Sequence, residues 1–274
     1  MSCRVLKLAR APYYRWLREP VGPAGRLRGE RIAALRQANE DDAEFGYRLL
    51  ADEARQAGFP MADRTAWRLC QQSGIMSAIV KTRKKRGKKP GPPVCDDLVK
   101  RNFTAASPDL LWLVDITEHW TKEGKLYLCA IKDVSSRRIV GYSISDRMKA
   151  RLAVDALNNA VARRGNVSGC IVHSDRGSQF RSRKFITALK YHGLVGSMGR
   201  VGAAGDNAAM ESFFALLQKN VLNRKSWVAR EDLRSAIVWW IERTYHRKRR
   251  QAALGRLTPI EFETMMATPA AMAA

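Results

Sequence analysis

A chain of 274 residues, 46% of them apolar, has room for one large core or two modest ones, and the usual domain size favours two. A formal charge of +23 and a pI near 10.4 call for a polyanionic partner bound through counterion release, and the even spread of the basic residues argues against a membrane-surface helix. No run nears the ~18 apolar residues of a membrane span, no cleavable signal stands at the N-terminus, and Cys3, Cys70, Cys95, Cys129 and Cys170 make neither a disulfide framework nor a zinc site. A soluble, cytoplasmic protein in a reducing compartment is expected.

Residues 2–18 read as two short helices, Cys3–Ala9 and Pro12–Arg18, with Pro12 in a first-turn position. Gly22-Pro-Ala-Gly25 reads as a break, and a helix follows from Arg28 to about Asn39. Tyr47–Ala57 is helical, Gly58–Ala62 is a turn, and Asp63 can N-cap a second helix through Ser73, closed by Gly74. This unit, over about 46–74, turns Arg64, Arg68 and Gln71 outward. It fits a helix-turn-helix, and it fits an ordinary helical hairpin equally well. Lys81–Lys89 holds seven basic residues in nine, among them Lys84, Lys85, Arg86, Lys88 and Lys89, and Pro90-Gly-Pro-Pro93 follows. Such a segment cannot bury itself, so residues 81–104 read as an extended linker, either a solvated spacer or a tether that tracks phosphates. In a eukaryotic host the same run would suit a nuclear signal. It bounds a helical region over residues 1–80.

Beyond the linker the texture changes to strands. Leu110–Thr117, Lys125–Val134 and Arg138–Ser145 are joined by short turns and predict an antiparallel meander. A helix over Lys149–Arg164, a strand over Gly169–Ser174, a helix over Ser182–Tyr191 and a short strand over Leu194–Met198 come next. A glycine-rich loop, Gly199–Gly205, leads to a helix that carries Glu211, and a final helix spans Glu231–His246. The fold class is α/β: a mixed five-stranded sheet flanked by helices over residues 105–265, with a flexible tail over 266–274.

Three acids organise this second region. Asp115 ends the first strand, on one face with Leu111, Leu113 and Thr117. Asp175 ends a later strand before a Gly-Ser turn, in phase with His173. Glu211 lies near the start of a helix that Asp206 or Asn207 can cap. Taken singly, each acid is better explained by a strand end, a turn or a helix surface, and the case rests on all three falling in compatible elements of one domain. Converging carboxylates repel one another, and a hard divalent cation resolves this; a pair of Mg²⁺ ions about 4 Å apart can activate an attacking oxygen and stabilise a leaving one. Phosphodiester cleavage and transfer on a basic protein is the natural assignment. Glycosidase chemistry also uses two carboxylates but leaves the charge unexplained, and Ser174 and Ser178 near His173 lack a nucleophile elbow.

The motifs then become specific. Trp112-Leu-Val-Asp-Ile-Thr117, Asp133-Val-Ser-Ser-Arg137, Ile139-Val-Gly-Tyr142, His173-Ser-Asp-Arg-Gly-Ser-Gln-Phe180, Gly205-Asp-Asn-Ala-Ala-Met-Glu-Ser-Phe-Phe214 and Thr258-Pro-Ile-Glu-Phe262 stand in one order. Together with Cys3-Arg-Val-Leu6 and Tyr13-Tyr-Arg-Trp16, they make the chain resemble, over nearly its whole length, the DDE transposases of bacterial insertion sequences encoded in the second of two overlapping reading frames. The resemblance implies an RNase H-like integrase core and a triad on Asp115, Asp175 and Glu211. It also implies two Mg²⁺ ions (or Mn²⁺), 3′-end cleavage, and strand transfer through a circular intermediate. Its implied partners are the element's terminal inverted repeats, target DNA, further copies of the chain on DNA, and a first-frame product joined by frameshifting. No heptad run precedes residue 1, so that module is expected on a separate frame, and the protein would associate with the bacterial nucleoid. His173 and Asn207 are the expected supporting residues. Arg64, Arg68, the linker bases, Arg176 and Lys219 are the expected DNA contacts. The family's basic residue seven positions after the glutamate is here Gln218, with Lys219 next, and Gln251 stands where a histidine is common. Two rival readings use the same features: a DNA-binding regulator without chemistry, and a nonspecific RNase H-like nuclease.

Overall fold

The computed structural model describes residues 9–43, 45–77, 92–199 and 208–267. The chain divides into two compact units, residues 1–83 and 84–274.

In the first unit the described helices are α1 (Arg10–Arg18), α2 (Pro23–Asp41), α3 (Tyr47–Gln56) and α4 (Asp63–Gln72). The stretch read as a break, residues 22–25, is instead the start of α2: Gly22 is its N-cap and Pro23 its first residue, where a missing N–H costs nothing. Asp63 does not cap α4. Ala62 holds the cap position, and the Asp63 carboxylate pairs with Arg55 of α3, which also binds Asp52. Leu35, Phe45, Leu50, Ala51, Ala66, Leu69 and Cys70 close a core shared by α2, α3 and α4.

The second unit is a five-stranded sheet: β1 (Leu111–Thr121), β2 (Gly124–Asp133), β3 (Ile139–Ser145), β4 (Ile171–Ser174) and β5 (Val195–Met198). Its order is β3-β2-β1-β4-β5, with β1 to β3 antiparallel and β4 and β5 parallel to β1. This is the RNase H-like arrangement. Helices α5 (Ala150–Arg164) and α6 (Arg183–Tyr191) cover one face; α7 (Ala208–Leu217) and α8 (Arg230–Trp239), each extended by a wide π turn, cover the other. Residues 111–114 are buried on both faces, as a central strand between two helical layers requires. Gly141 of β3 lets α5 approach: an added Cβ would stand 2.5 Å from the Ala156 carbonyl oxygen and 2.6 Å from the Ala160 Cβ.

Two expectations change here. The linker, expected through residue 104, ends sooner, because residues 95–103 pack on the sheet: Asp96 O accepts from Met198 N–H at 3.2 Å, Leu98 N–H donates to Ser197 Oγ at 3.0 Å, and Val99 is buried. A last helix, α9 (Pro259–Ala267), occupies the start of the expected tail. Thr258 and Glu261 close its first turn reciprocally, Thr258 N–H to Glu261 Oε2 at 2.8 Å and Glu261 N–H to Thr258 Oγ1 at 3.3 Å.

Candidate active site

The β1–β4 ladder pairs Leu113 with His173 and Val114 with Ser174, so Asp115 and Asp175 come at the next level on neighbouring strands. The period-2 alternation turns Asp115 to the face of Leu111 and Leu113, the face covered by α7. Helix α7 is fixed there by Met210, Phe213 and Leu217, all buried, which leaves Glu211 on its exposed side in the first turn. The sheet and α7 thus carry the three acids to one place from strand, loop and helix. Their surroundings differ. Asp115 is half-buried and Asp175 and Glu211 are exposed.

The carboxylates act on one another. Burial, then the charges of Asp175 and Glu211, push the Asp115 carboxyl up to about 7, although the Ile116 N–H donates to its Oδ1 at 2.7 Å and favours the anion. Asp175 Oδ1 accepts from the Gly177 N–H at 2.8 Å, which fixes it on the turn. The donor set is all hard oxygen with surplus negative charge. Among the described residues no three such side chains close round a single ion; it is the oxygen chemistry of the donors that matches Mg²⁺, a hard cation that takes one or two protein carboxylates. The residues fit such a cation.

His173 is buried, with Nδ1 2.9 Å from Ser197 Oγ and its ring edge-on to Phe103, so it ties β4 to β5 two residues before Asp175. Arg176 donates through Nε to the Gly199 carbonyl at 2.8 Å, at the foot of residues 200–207. Lys219 lies half-buried in the π turn after α7, where Gln218 donates to Asn223 Oδ1 at 2.6 Å. Arg64 and Arg68 are exposed on α4. Asn207 and Lys84, Lys85, Arg86, Lys88 and Lys89 lie outside the described residues.

An integrase core domain model matches residues 105–204, and a second integrase core domain model matches residues 192–259. The chain is 35% identical over 268 residues to the transposase InsF for insertion sequence IS3A of Escherichia coli (strain K12), spanning 95% of this chain and 92% of that protein. The chain belongs to the insertion-sequence transposases with an integrase catalytic core. A second relative, the transposase for insertion sequence element IS904 of Lactococcus lactis subsp. lactis (strain IL1403), is 38% identical over 167 residues, 61% of this chain and 66% of that one. This family membership makes the transposase an enzyme of the DDE polynucleotidyl-transferase type. Among solved structures, the HTLV-2 integrase catalytic core domain in complex with magnesium (trimeric form) aligns with a TM-score of 0.46 at 18% identity, over 58% of this chain and 99% of that one. Among the described residues of the transposase no helix is long and apolar enough to cross a membrane.

The sequence reading of the transposase passed over Lys132. This residue of β2 is buried, and its Nζ donates to the Ala209 carbonyl at 3.0 Å, in the turn that leads to Glu211. Burial, then the charge of Arg137, lowers its amine to about 7. The signal was available: Lys132 is in phase with Leu126, Leu128 and Ala130, a lysine on the inward side of an apolar strand.

Proposed function

We propose that this transposase cleaves DNA at the 3′ ends of its element and joins those ends to target DNA, with Asp115, Asp175 and Glu211 around the reacting phosphate. The observation that carries this reading is the mutual action of the three carboxylates, Asp115 within β1, Asp175 just past β4 and Glu211 on α7, in a chain of charge +23. In cleavage a water oxygen bonds to phosphorus and the 3′ oxygen leaves as a hydroxyl. In joining, that 3′-hydroxyl bonds to a target phosphorus, and the target's own 3′ oxygen leaves. One phosphodiester replaces another, so no nucleotide is consumed. Two Mg²⁺ ions, with Mn²⁺ able to stand in, would be held by Asp115 together with Asp175 and Glu211. When bound, such ions neutralise the phosphate and lower the pKa of the attacking oxygen.

The chain's own residues supply placement. The Ile116 and Gly177 amides orient the Asp115 and Asp175 carboxylates. His173 holds the strand end beneath Asp175, and Lys132 holds the first turn of the Glu211 helix. Lys219, Arg176, Arg64, Arg68 and the linker bases are suited to phosphates of the element's ends and the target. The linked cleavage of two ends calls for more than one copy on DNA, and the first-frame product is a natural partner for end recognition.

The test is strand transfer on duplex DNA carrying the element's own ends, with Mg²⁺ or EDTA, for the wild type, Asp175→Asn and Glu211→Gln, alone and fused to the first-frame product. Joined product should require the metal and fall by about a thousandfold in either variant, while anisotropy shows nearly unchanged DNA binding. A variant that still joins strands overturns the assignment. Equal cleavage of scrambled ends would make the protein a nonspecific nuclease.

A further inference from the structure

The N-terminal unit contains a cavity of about 320 Å³ between α2 and α4. Two helical stripes line it: Ala24, Arg28 and Arg31 of α2, and Thr65, Arg68 and Gln72 of α4. The spacings of four and three along α2, and of three and four along α4, put each set on one face of its helix. Three guanidiniums therefore surround one concavity, and no acid lines it. Two arginines elsewhere in the unit are neutralised: Arg55 by Asp52 and Asp63, Arg26 by Glu19. Arg28 and Arg31 of the cavity have neutral partners instead. Arg28 donates to Gln72 Oε1 at 2.6 Å and Arg31 to the Pro60 carbonyl at 2.6 Å. Among the described residues the buried Nε of Arg31 has no hydrogen-bond partner. Like charges gathered round a hollow repel one another, and a buried donor left unmade costs free energy. An oxyanion with several acceptor oxygens answers both, because guanidinium forks match phosphate geometry. The Thr65 hydroxyl and the Gln72 amide add neutral donors at the same place.

We propose that this cavity seats one phosphodiester of the DNA backbone, gripped between α2 and α4. Such a contact carries no base information. It fixes the register in which α4, with Arg64 and Arg68 exposed, meets the duplex. The assignment rests on the DNA-directed activity of the transposase and extends it to a second, non-catalytic site.

The experiment uses the full chain and duplexes carrying the element's ends, in which backbone phosphates are neutralised one at a time as methylphosphonates. One position should weaken wild-type binding about tenfold and leave the Arg28→Gln/Arg31→Gln double variant unaffected. The double variant should also show a smaller salt dependence, its log–log slope reduced by about 0.9 for each phosphate that the protein no longer neutralises. Circular dichroism checks its fold; if Arg31→Gln perturbs packing, the exposed Arg28→Gln carries the same comparison alone. Wild-type affinity and salt slope in the variant overturn the proposal. So does inorganic phosphate that raises the melting temperature while every methylphosphonate duplex binds like its parent, since that is a free-anion site. Metal-dependent joining, abolished in Glu211→Gln, is read separately, so failure of the cavity leaves the catalytic reading standing, and failure of joining leaves the cavity measurable by binding.

Discussion

Burial sets Asp115 apart from its two partners. A half-buried carboxylate flanked by two further acids is costly as an anion, which is why its carboxyl rises to about 7 while backbone amides hold it and Asp175 in place. Placement therefore depends on small contacts, and Gly177 is the sharpest of them. A Cβ added there would stand 2.8 Å from Asp175 Oδ1 and 3.3 Å from Gln179 Oε1. The carboxylate would have to swing off the Gly177 N–H. Gly177→Ala should lower joining by about a hundredfold, the scale on which ångström misplacement acts, with DNA affinity and melting temperature nearly unchanged. A variant that joins at the wild-type rate would show that Asp175 does not need this anchor. The acids were legible in the sequence because each sits where an acid is conspicuous: in an apolar strand, before a Gly-Ser turn, or just past a glycine-rich loop; Asp115, expected at the end of its strand, lies instead in the middle of β1, which pairs with β2 as far as Thr121. Lys132 was equally conspicuous by strand phase but offers no motif, and its partner, the Ala209 carbonyl, is 77 residues away.

At the scale of elements, propensity and periodicity located the segments, and capping chemistry decided their ends. Gly22-Pro23 looks like punctuation, yet the same pair starts a helix when glycine takes the cap and proline the first turn. The capping box Thr258-Pro-Ile-Glu261 was readable in the same way, and the helix it starts, α9, runs on through Met266 and Ala267 into the expected tail. Helix α9 matters to the core through Glu263, which accepts from Arg138 at 2.6 Å and Arg164 at 2.8 Å, while Arg164 also holds Asp109 just before β1. Removing the cap should loosen this clasp. Thr258→Ala is expected to cost about 1 kcal/mol, measurable as a lower urea midpoint of the catalytic unit with an unchanged slope, and Thr258→Ser should recover most of it. Equal midpoints for all three would mean that the clasp holds α9 without its cap.

For the whole molecule, the antiparallel meander followed from short turns, but the places of β4 and β5 did not follow from local pattern. They join β1 across the sheet from β3, after the α5 and α6 crossovers, and pairings at such sequence separation are set by tertiary packing. The meander's outer edge is in turn pinned by the π turn that extends the distant helix α8. Glu242 accepts from Tyr142 Oη and Arg163 Nη1, each at 2.9 Å, and lies 3.2 Å from His246 Nδ1; His246 Nε2 accepts the Ile139 N–H at 3.1 Å. Only an unprotonated Nε2 can accept that amide, so the ring is neutral with its proton on Nδ1. The hydrogen bond from His246, against the opposing effect of burial, holds the Glu242 carboxyl down at about 2, helped by Tyr142 and Arg163. Burial lowers the His246 imidazole, and Glu242 opposes this only in part. Both shifts have the same sign for stability. A group whose folded pKa lies below its unfolded value stabilises above the unfolded value and loses that contribution as the pH falls through the folded one. The loss from His246 begins below about 6.5 and that from Glu242 below about 4.5, so acid weakens the β3–α8 junction in two successive steps. Melting temperatures from pH 8 to pH 3 should fall across both windows. Glu242→Gln should start lower at pH 7 and descend less between pH 4.5 and 3, because the titrating carboxylate is gone; a descent parallel to the wild type there would place the acid sensitivity elsewhere in the molecule.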